Sequence, residues 1–187
     1  MSTAGESQVY VWDPFVRIFH WSLVVAFTAA FLTDDDSLTL HVWAGYVVGI
    51  LVIARVLWGL AGPRHARFSD FVYKPSDSIR YISESLKFRS ERYLGHSPGG
   101  GAMIVLLLIL LAATVATGLA VYGGDQQGGP LAGTVSHQTA EALEEVHELI
   151  ANVTFAFVLA HIAAVVFTSF AHRENLIRSM FTGYKRK

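Results

Sequence analysis

The chain has 187 residues, enough for one compact domain, and 52% of them are hydrophobic, a share above that of ordinary soluble proteins. Its formal net charge is −1, from 14 basic and 15 acidic residues, and the basic residues form no nucleic-acid-binding stripe. Cysteine is absent, which removes disulfides, thiolate-bound iron–sulfur clusters, Cys-type zinc sites and covalent cofactor attachment through C-x-x-C-H.

The N-terminal "MSTAGESQVYVW" is polar and lacks the basic n-region of a cleaved signal peptide, so the apolar run after it reads as a retained helix. A hydrocarbon core about 30 Å thick needs roughly 20 apolar helical residues. Four stretches meet that length: residues 15–33, 41–60, 102–122 and 146–170. The third contains "MIVLLLILLAATVATGLAVY", without a single charge. The expected fold is therefore all-α, an integral membrane four-helix bundle forming one domain over residues 1–187.

The connectors differ in character. A short acidic loop, "DDDSLTL", joins the first two spans. The longer loop after the second span contains "PSDSIRYISESLKF", with Ser76 as a candidate N-cap and apolar Ile79, Ile82 and Leu86 beside basic residues. That spacing fits a short amphipathic helix in the membrane interface, with a solvated connector as the alternative. "GHSPGGG" breaks the chain before the third span, and the Gly-rich "GGDQQGGPLAGTVSHQ" reads as flexible until "TAEALEEVHEL" begins the last helix.

Charge sorts completely between the two sides. Arg17, Arg55, the seven basic residues from Arg64 to Arg92, and Arg173, Arg178, Lys185, Arg186 and Lys187 all fall on one side. The other side holds Asp34, Asp35, Asp36, Asp125, Glu141, Glu144, Glu145 and Glu148, with no Lys or Arg. The positive-inside rule then puts both termini in the cytoplasm.

Four of the eight histidines lie in or at the spans: His20, His41, His147 and His161. Ionisable groups at membrane depth are costly and tend to face the bundle interior or a cofactor; a single His near a helix end can also rest in the headgroup zone. His147 and His161 are 14 residues apart. At about 100° and 1.5 Å per residue they share nearly one face, roughly 21 Å apart along the axis. The direction of each span puts His20 at the depth of His161 and His41 at the depth of His147. Each pair can supply the two axial imidazoles of a six-coordinate haem iron inside a bundle.

Gly45 and Ala151 follow His41 and His147 by one turn and leave room for a porphyrin face, although Gly45 and Gly49 equally suit close helix packing. Arg17 and Arg55 lie at the inner depth and suit haem propionates or snorkelling to the interface. His65, His96 and His137 fall in loops and are expected in solvent, and His172 lies beyond the hydrocarbon. "HELIA" at His147 lacks the second His of a zinc-protease motif, since Ala151 stands there.

The sequence resembles the bacterial cytochrome b561 and nickel–iron hydrogenase b-type cytochrome family. The resemblance runs through "VWDPFVRIFHW", "HVWAGYVVGILVIARVLWGL", "VHELIANVTFAFVLAHIAAVVF" and the tail "HRENLIRSMFTGYKRK". It implies a multi-pass protein of the bacterial inner membrane with two haem b groups, whose ligands fall on His20, His41, His147 and His161. It further implies electron transfer between the membrane quinone pool and a redox partner, such as a periplasmic c-type cytochrome or a hydrogenase. Some members of the family oxidise superoxide and pass the electron to quinone, which makes a superoxide:quinone oxidoreductase the enzymatic alternative. A transporter or channel using histidine without haem is the third reading. A homodimer is compatible with the sequence, but no motif specifies one.

Overall fold

The computed structural model describes residues 7–33 and 37–187. The acids at 34–36 and the first six residues lie outside the described residues. In chain order the elements are β1 (Gln8–Tyr10), α1 (Pro14–Leu32), α2 (Leu38–Ala61), α3 (Phe68–Phe71), α4 (Pro75–Leu86), α5 (Pro98–Asp125), α6 (His137–Ala171), α7 (Leu176–Thr182) and β2 (Tyr184–Arg186). Short 3-10 turns occupy Arg64–Ala66 and Gly129–Leu131. The helices α1, α2, α5 and α6 are each long and apolar enough to cross a membrane, and the fold is that of a membrane helical bundle.

Local chemistry explains where these helices begin. The Asp13 carboxylate accepts from the Val16 amide at 3.2 Å, with Pro14 at the first helical position of α1. Ser97 accepts from Gly100 at 3.2 Å, with Pro98 opening α5. Ser136 accepts from Thr139 at 3.2 Å at the start of α6. Each cap satisfies an amide that the helix itself leaves unpaired, and a proline at the first position gives up no needed donor.

The loop after the second span does form a helix, with one change from expectation. α4 starts at Pro75 with Lys74 in the cap position and no side-chain cap, so Ser76 lies inside the helix. The preset backbone of Pro75 fixes the start two residues early, with the cap at Lys74 rather than Ser76. Ile79, Ile82 and Leu86 are exposed on this helix. Tyr81 and Ser78 turn inward, and Ser78 donates to the Pro98 carbonyl at 3.0 Å.

The described residues divide into two compact units, each drawing on all four long helices. Among the described residues the first comprises 7–21, Arg55–Val105 and Ala160–Lys187; the second comprises 22–33, 37–54 and Leu106–Leu159.

In the first unit, the two ends of the chain close on each other. β1 pairs antiparallel with β2, Gln8 opposite Arg186 and Tyr10 opposite Tyr184. The Trp12 indole donates to Ser179 at 3.2 Å, and the amides of Val11 and Trp12 donate to the Gly183 carbonyl. Gly183 ends α7 at φ +87°, and a Cβ there would stand 2.6 Å from the Tyr10 ring, so glycine is required at this closure. Beneath the strands Glu174 is only 8% exposed. It pairs with Arg92 at 2.8 Å and with Lys185 at 3.4 Å. Lys185 also donates to the Tyr93 carbonyl at 2.9 Å, and Arg92 reaches the Arg186 carbonyl.

The second unit is held by smaller contacts. Thr154 is fully buried, donating to the Ile150 carbonyl at 2.7 Å and meeting the Thr114 hydroxyl at 3.3 Å. Phe31 stacks on Phe155 with ring centroids 4.5 Å apart.

Removing one partner of a buried ion pair usually costs about 3–5 kcal/mol. Lys185→Ala should cost less than that range, because Arg92 still faces Glu174, and thermal unfolding in detergent would measure the loss. The closure also depends on pH. Burial alone would raise the Glu174 carboxyl, but the hydrogen bond from Arg92 and the charge of Lys185 outweigh it and hold the carboxyl below its ordinary value. A depressed folded value means the contribution is complete above the unfolded value, about 4.3, and is lost as pH falls through the folded one. Protection of the Tyr184–Arg186 amides, relative to their intrinsic exchange rates, should therefore fall selectively in acid, below the unfolded carboxyl value of about 4.3. Exchange there that tracks the rest of the chain would refute this linkage.

Candidate functional site

Two of the four membrane histidines meet in the second unit. His41 is in the first turn of α2 and its Nδ1 lies 2.9 Å from the Ala30 carbonyl of α1. His147, on α6, has Nδ1 3.0 Å from the Thr114 carbonyl and 3.0 Å from the Thr117 hydroxyl, both on α5. A carbonyl only accepts, so each ring carries its proton on Nδ1 and its lone pair on Nε2. Metal-bound histidines commonly tie back the non-ligating nitrogen in this way, which fixes tautomer and ring direction. The ring centroids are 6.1 Å apart and the planes lie 81° from parallel. At about 2 Å per metal–imidazole bond, that separation suits one ion between two ring nitrogens.

The glycines here divide into two kinds. A Cβ on Gly118 would come within 2.8 Å of His147 Cε1, so this glycine lets the ring lie against α5. Gly49 packs beside Val115, with a Cβ contact of 3.1 Å, whereas a Cβ at Gly45 would meet nothing within 4 Å. Of the two roles open to Gly45 and Gly49, close helix packing describes Gly49 alone. The open face at Gly45, one turn from His41, fits a flat macrocycle.

His20, on α1, and His161, on α6, both belong to the first unit. Among the described residues the buried Nδ1 of His20 has no hydrogen-bond partner. The same is true of Arg17 Nε, Arg55 Nη1, Trp21 Nε1 and Trp58 Nε1. Arg55 is 2% exposed, with its guanidinium 5.3 Å and 5.7 Å from the Phe68 and Phe71 ring centroids. It therefore does not snorkel. A buried cation is costly without an anionic partner, and a group carrying carboxylates beside an imidazole-bound iron would satisfy both arginines. The residues present fit haem at both positions.

Two of the remaining histidines depart from the expected solvated loop positions: His137, though exposed, is the first residue of α6, and His96 is buried. Its ring lies 4.6 Å from both Trp12 and Phe71, and its Nδ1 is buried. Burial, with the positive charge of Arg55 and Lys185 added, pushes it down to about 3, so it is neutral at physiological pH. The flanking "GHSPGG" reads as loop, and the rings that bury it come from distant positions. His65 bonds Asp70 at 3.1 Å. His137 is exposed and faces Asp125 at 3.3 Å and Glu141 at 3.5 Å. His172 follows the last residue of α6. Among the described residues no group of three or more His, Asp or Glu converges on a metal-ion site.

The family described as prokaryotic cytochrome b561 matches residues 11–183. Relatives named "Probable Ni/Fe-hydrogenase B-type cytochrome subunit" include that of Rhodobacter capsulatus, 26% identical over 221 residues, covering 98% of this chain and 84% of the relative. That of Rhizobium leguminosarum bv. viciae is 28% identical over 214 residues, covering 95% of this chain and 89% of the relative. The protein so named in Cupriavidus necator is 26% identical over 215 residues, covering 94% and 86%. No solved structure matches the chain.

Gly118→Ala should displace the His147 ring, since the added carbon would lie 2.8 Å from it. The expected outcome is loss or spectral broadening of b-haem absorption in the purified protein. An unaltered absorption spectrum would mean that the ring position is not critical.

Proposed function

The chain belongs to the prokaryotic cytochrome b561 family, and from that premise we propose that it holds two haem b groups, one by His41 and His147 and one by His20 and His161, to carry single electrons across the membrane. As a family member with four membrane-spanning helices, it is a multi-pass protein of the bacterial inner membrane and a b-type cytochrome of electron transfer. The observation that carries the assignment is the apposition of His41 and His147, each with Nδ1 committed to a carbonyl.

Bound haem b supplies reversible one-electron chemistry at its iron. The chain contributes ligation, orientation and dielectric. The Ala30 and Thr114 carbonyls hold the two outer rings in the Nδ1–H tautomer. Arg55, buried, and Arg17, half-buried with its Nε enclosed, offer their guanidinium groups to the propionates of the inner haem. The apolar helices keep water from both sites. Between His147 and His161, α6 rises about 21 Å, which spans much of a hydrocarbon core about 30 Å thick.

The positive-inside distribution supports cytoplasmic termini and an acidic outer surface. The proposed circuit links the quinone pool to a redox partner at that acidic face. Relatives named as hydrogenase cytochrome subunits support a hydrogenase in this position, and a c-type cytochrome with a basic patch has the same electrostatic fit. Superoxide oxidation is a weaker reading, because residues 33–40 and 123–145 contain no Lys or Arg to draw in an anion.

A pyridine haemochrome assay should return two b haems per chain, and one would overturn the two-site assignment. His41→Ala should remove only the outer component and His161→Ala only the inner. Electron transfer to a basic soluble partner should slow as ionic strength rises; a rate indifferent to salt would argue against steering by the acidic face.

A further inference from the structure

Two helices end in the same uncommon way beside one groove. α4 is followed by Phe88 at φ +56° and α6 by Arg173 at φ +51°. After α4, the Phe88 amide donates to Ser85 at 2.9 Å and the Arg89 amide to Glu84 at 2.9 Å. After α6, the Arg173 amide donates to Phe170 at 3.2 Å and the Glu174 amide to Ser169 at 3.0 Å. Both are Schellman closures, in which the left-handed residue is usually glycine. A phenylalanine or arginine there carries strain, and such strain collects where a side chain must be presented to a ligand.

Both strained side chains serve the same place. Phe88 and Arg173, with Ser169, Phe170 and Ala171, line an open groove of about 470 Å³. The Phe88 ring is braced 5.1 Å from Phe167 on α6. Phe88 remains 64% exposed and Phe170 79% exposed, so the groove offers two aromatic faces at the end of a membrane span. Arg173 is exposed and enters no ion pair among the described residues. The adjacent acid, Glu174, is already taken by Arg92 and Lys185. The Ser169 hydroxyl is likewise engaged, donating to Val165 at 2.7 Å and accepting from the Leu176 amide at 3.3 Å.

A cation without an anion, set at the rim of an exposed apolar groove where a span leaves the hydrocarbon, complements a lipid that carries phosphate and acyl chain together. We propose that this groove seats an anionic phospholipid of the adjoining leaflet, its phosphate on Arg173 and its chain along Phe88 and Phe170. None of His20, His41, His147 and His161 lines the groove, so the proposal does not rest on the haem reading.

Native mass spectrometry of the haem-loaded full chain, titrated with phosphatidylglycerol or phosphatidylcholine, tests it. The expected result is one retained phosphatidylglycerol, bound at least about fivefold more strongly than phosphatidylcholine. Arg173→Gln should abolish that preference and leave phosphatidylcholine binding unchanged. Phe88→Gly should weaken both lipids while relieving the backbone strain, so lipid affinity and thermal stability should move in opposite directions. An unchanged haem spectrum verifies the fold of each variant. Equal retention of the two lipids, or a phosphatidylglycerol preference that survives Arg173→Gln, would overturn the proposal. So would Phe88→Gly binding both lipids as the wild type does, which would leave Phe88 with only its packing on Phe167.

Discussion

The constraint on which the rest depends is the cost of a polar side chain inside an apolar bundle. A histidine or arginine at membrane depth must find a partner or a reason to be there. The chain meets that constraint in two ways. At His41 and His147, backbone carbonyls of neighbouring helices take up one ring nitrogen each. At His20, Arg17 and Arg55, buried nitrogens have no protein partner among the described residues. The first arrangement orients ligands; the second collects positive charge that a carboxylate-bearing cofactor would offset. Neither makes sense in a bundle held together by apolar packing alone.

The surroundings follow from keeping such groups dry. Trp12, Phe71 and His96 pack together at the basic end, beneath a closure that ties β1 to β2. The Arg92–Glu174–Lys185 cluster binds the loop before α5 to the C-terminal strand. A buried charge cluster is weak evidence of net stability but makes one arrangement specific, because any slip strands a charge. In the second unit, small residues do equivalent work: Gly118 admits the His147 ring, and the Thr114 and Thr154 hydroxyls donate back to the Leu110 and Ile150 carbonyls of their own helices.

What the sequence disclosed was whatever depends on local pattern. Span length, the segregation of Lys and Arg, and the 14-residue spacing of His147 and His161 are local, and they anticipated the four long helices and the meeting of His41 with His147. The amphipathic α4 was legible from Ile79, Ile82 and Leu86. Contacts between residues far apart in sequence were not legible. His96 sits in a stretch that reads as solvated loop, and only Trp12 and Phe71, which arrive from elsewhere, bury it. The pairing of residues 8–10 with 184–186 has no periodic signal, being three residues long on each side. The left-handed Phe88 and Arg173 were hidden for another reason: the expected marker of such a closure is glycine, and neither position has it. For Arg55 the sequence allowed both burial and snorkelling, and only its packing against Phe68 and Phe71 decides between them.

The central claim is that four imidazoles ligate two irons in pairs. Electron paramagnetic resonance of the oxidised, purified protein addresses it most directly, because two axial imidazoles hold ferric haem in the low-spin state. The account predicts two low-spin ferric species per chain, with one lost in His41→Ala and the other in His161→Ala. A high-spin species in the intact protein, or one low-spin species sensitive to both substitutions, would contradict it.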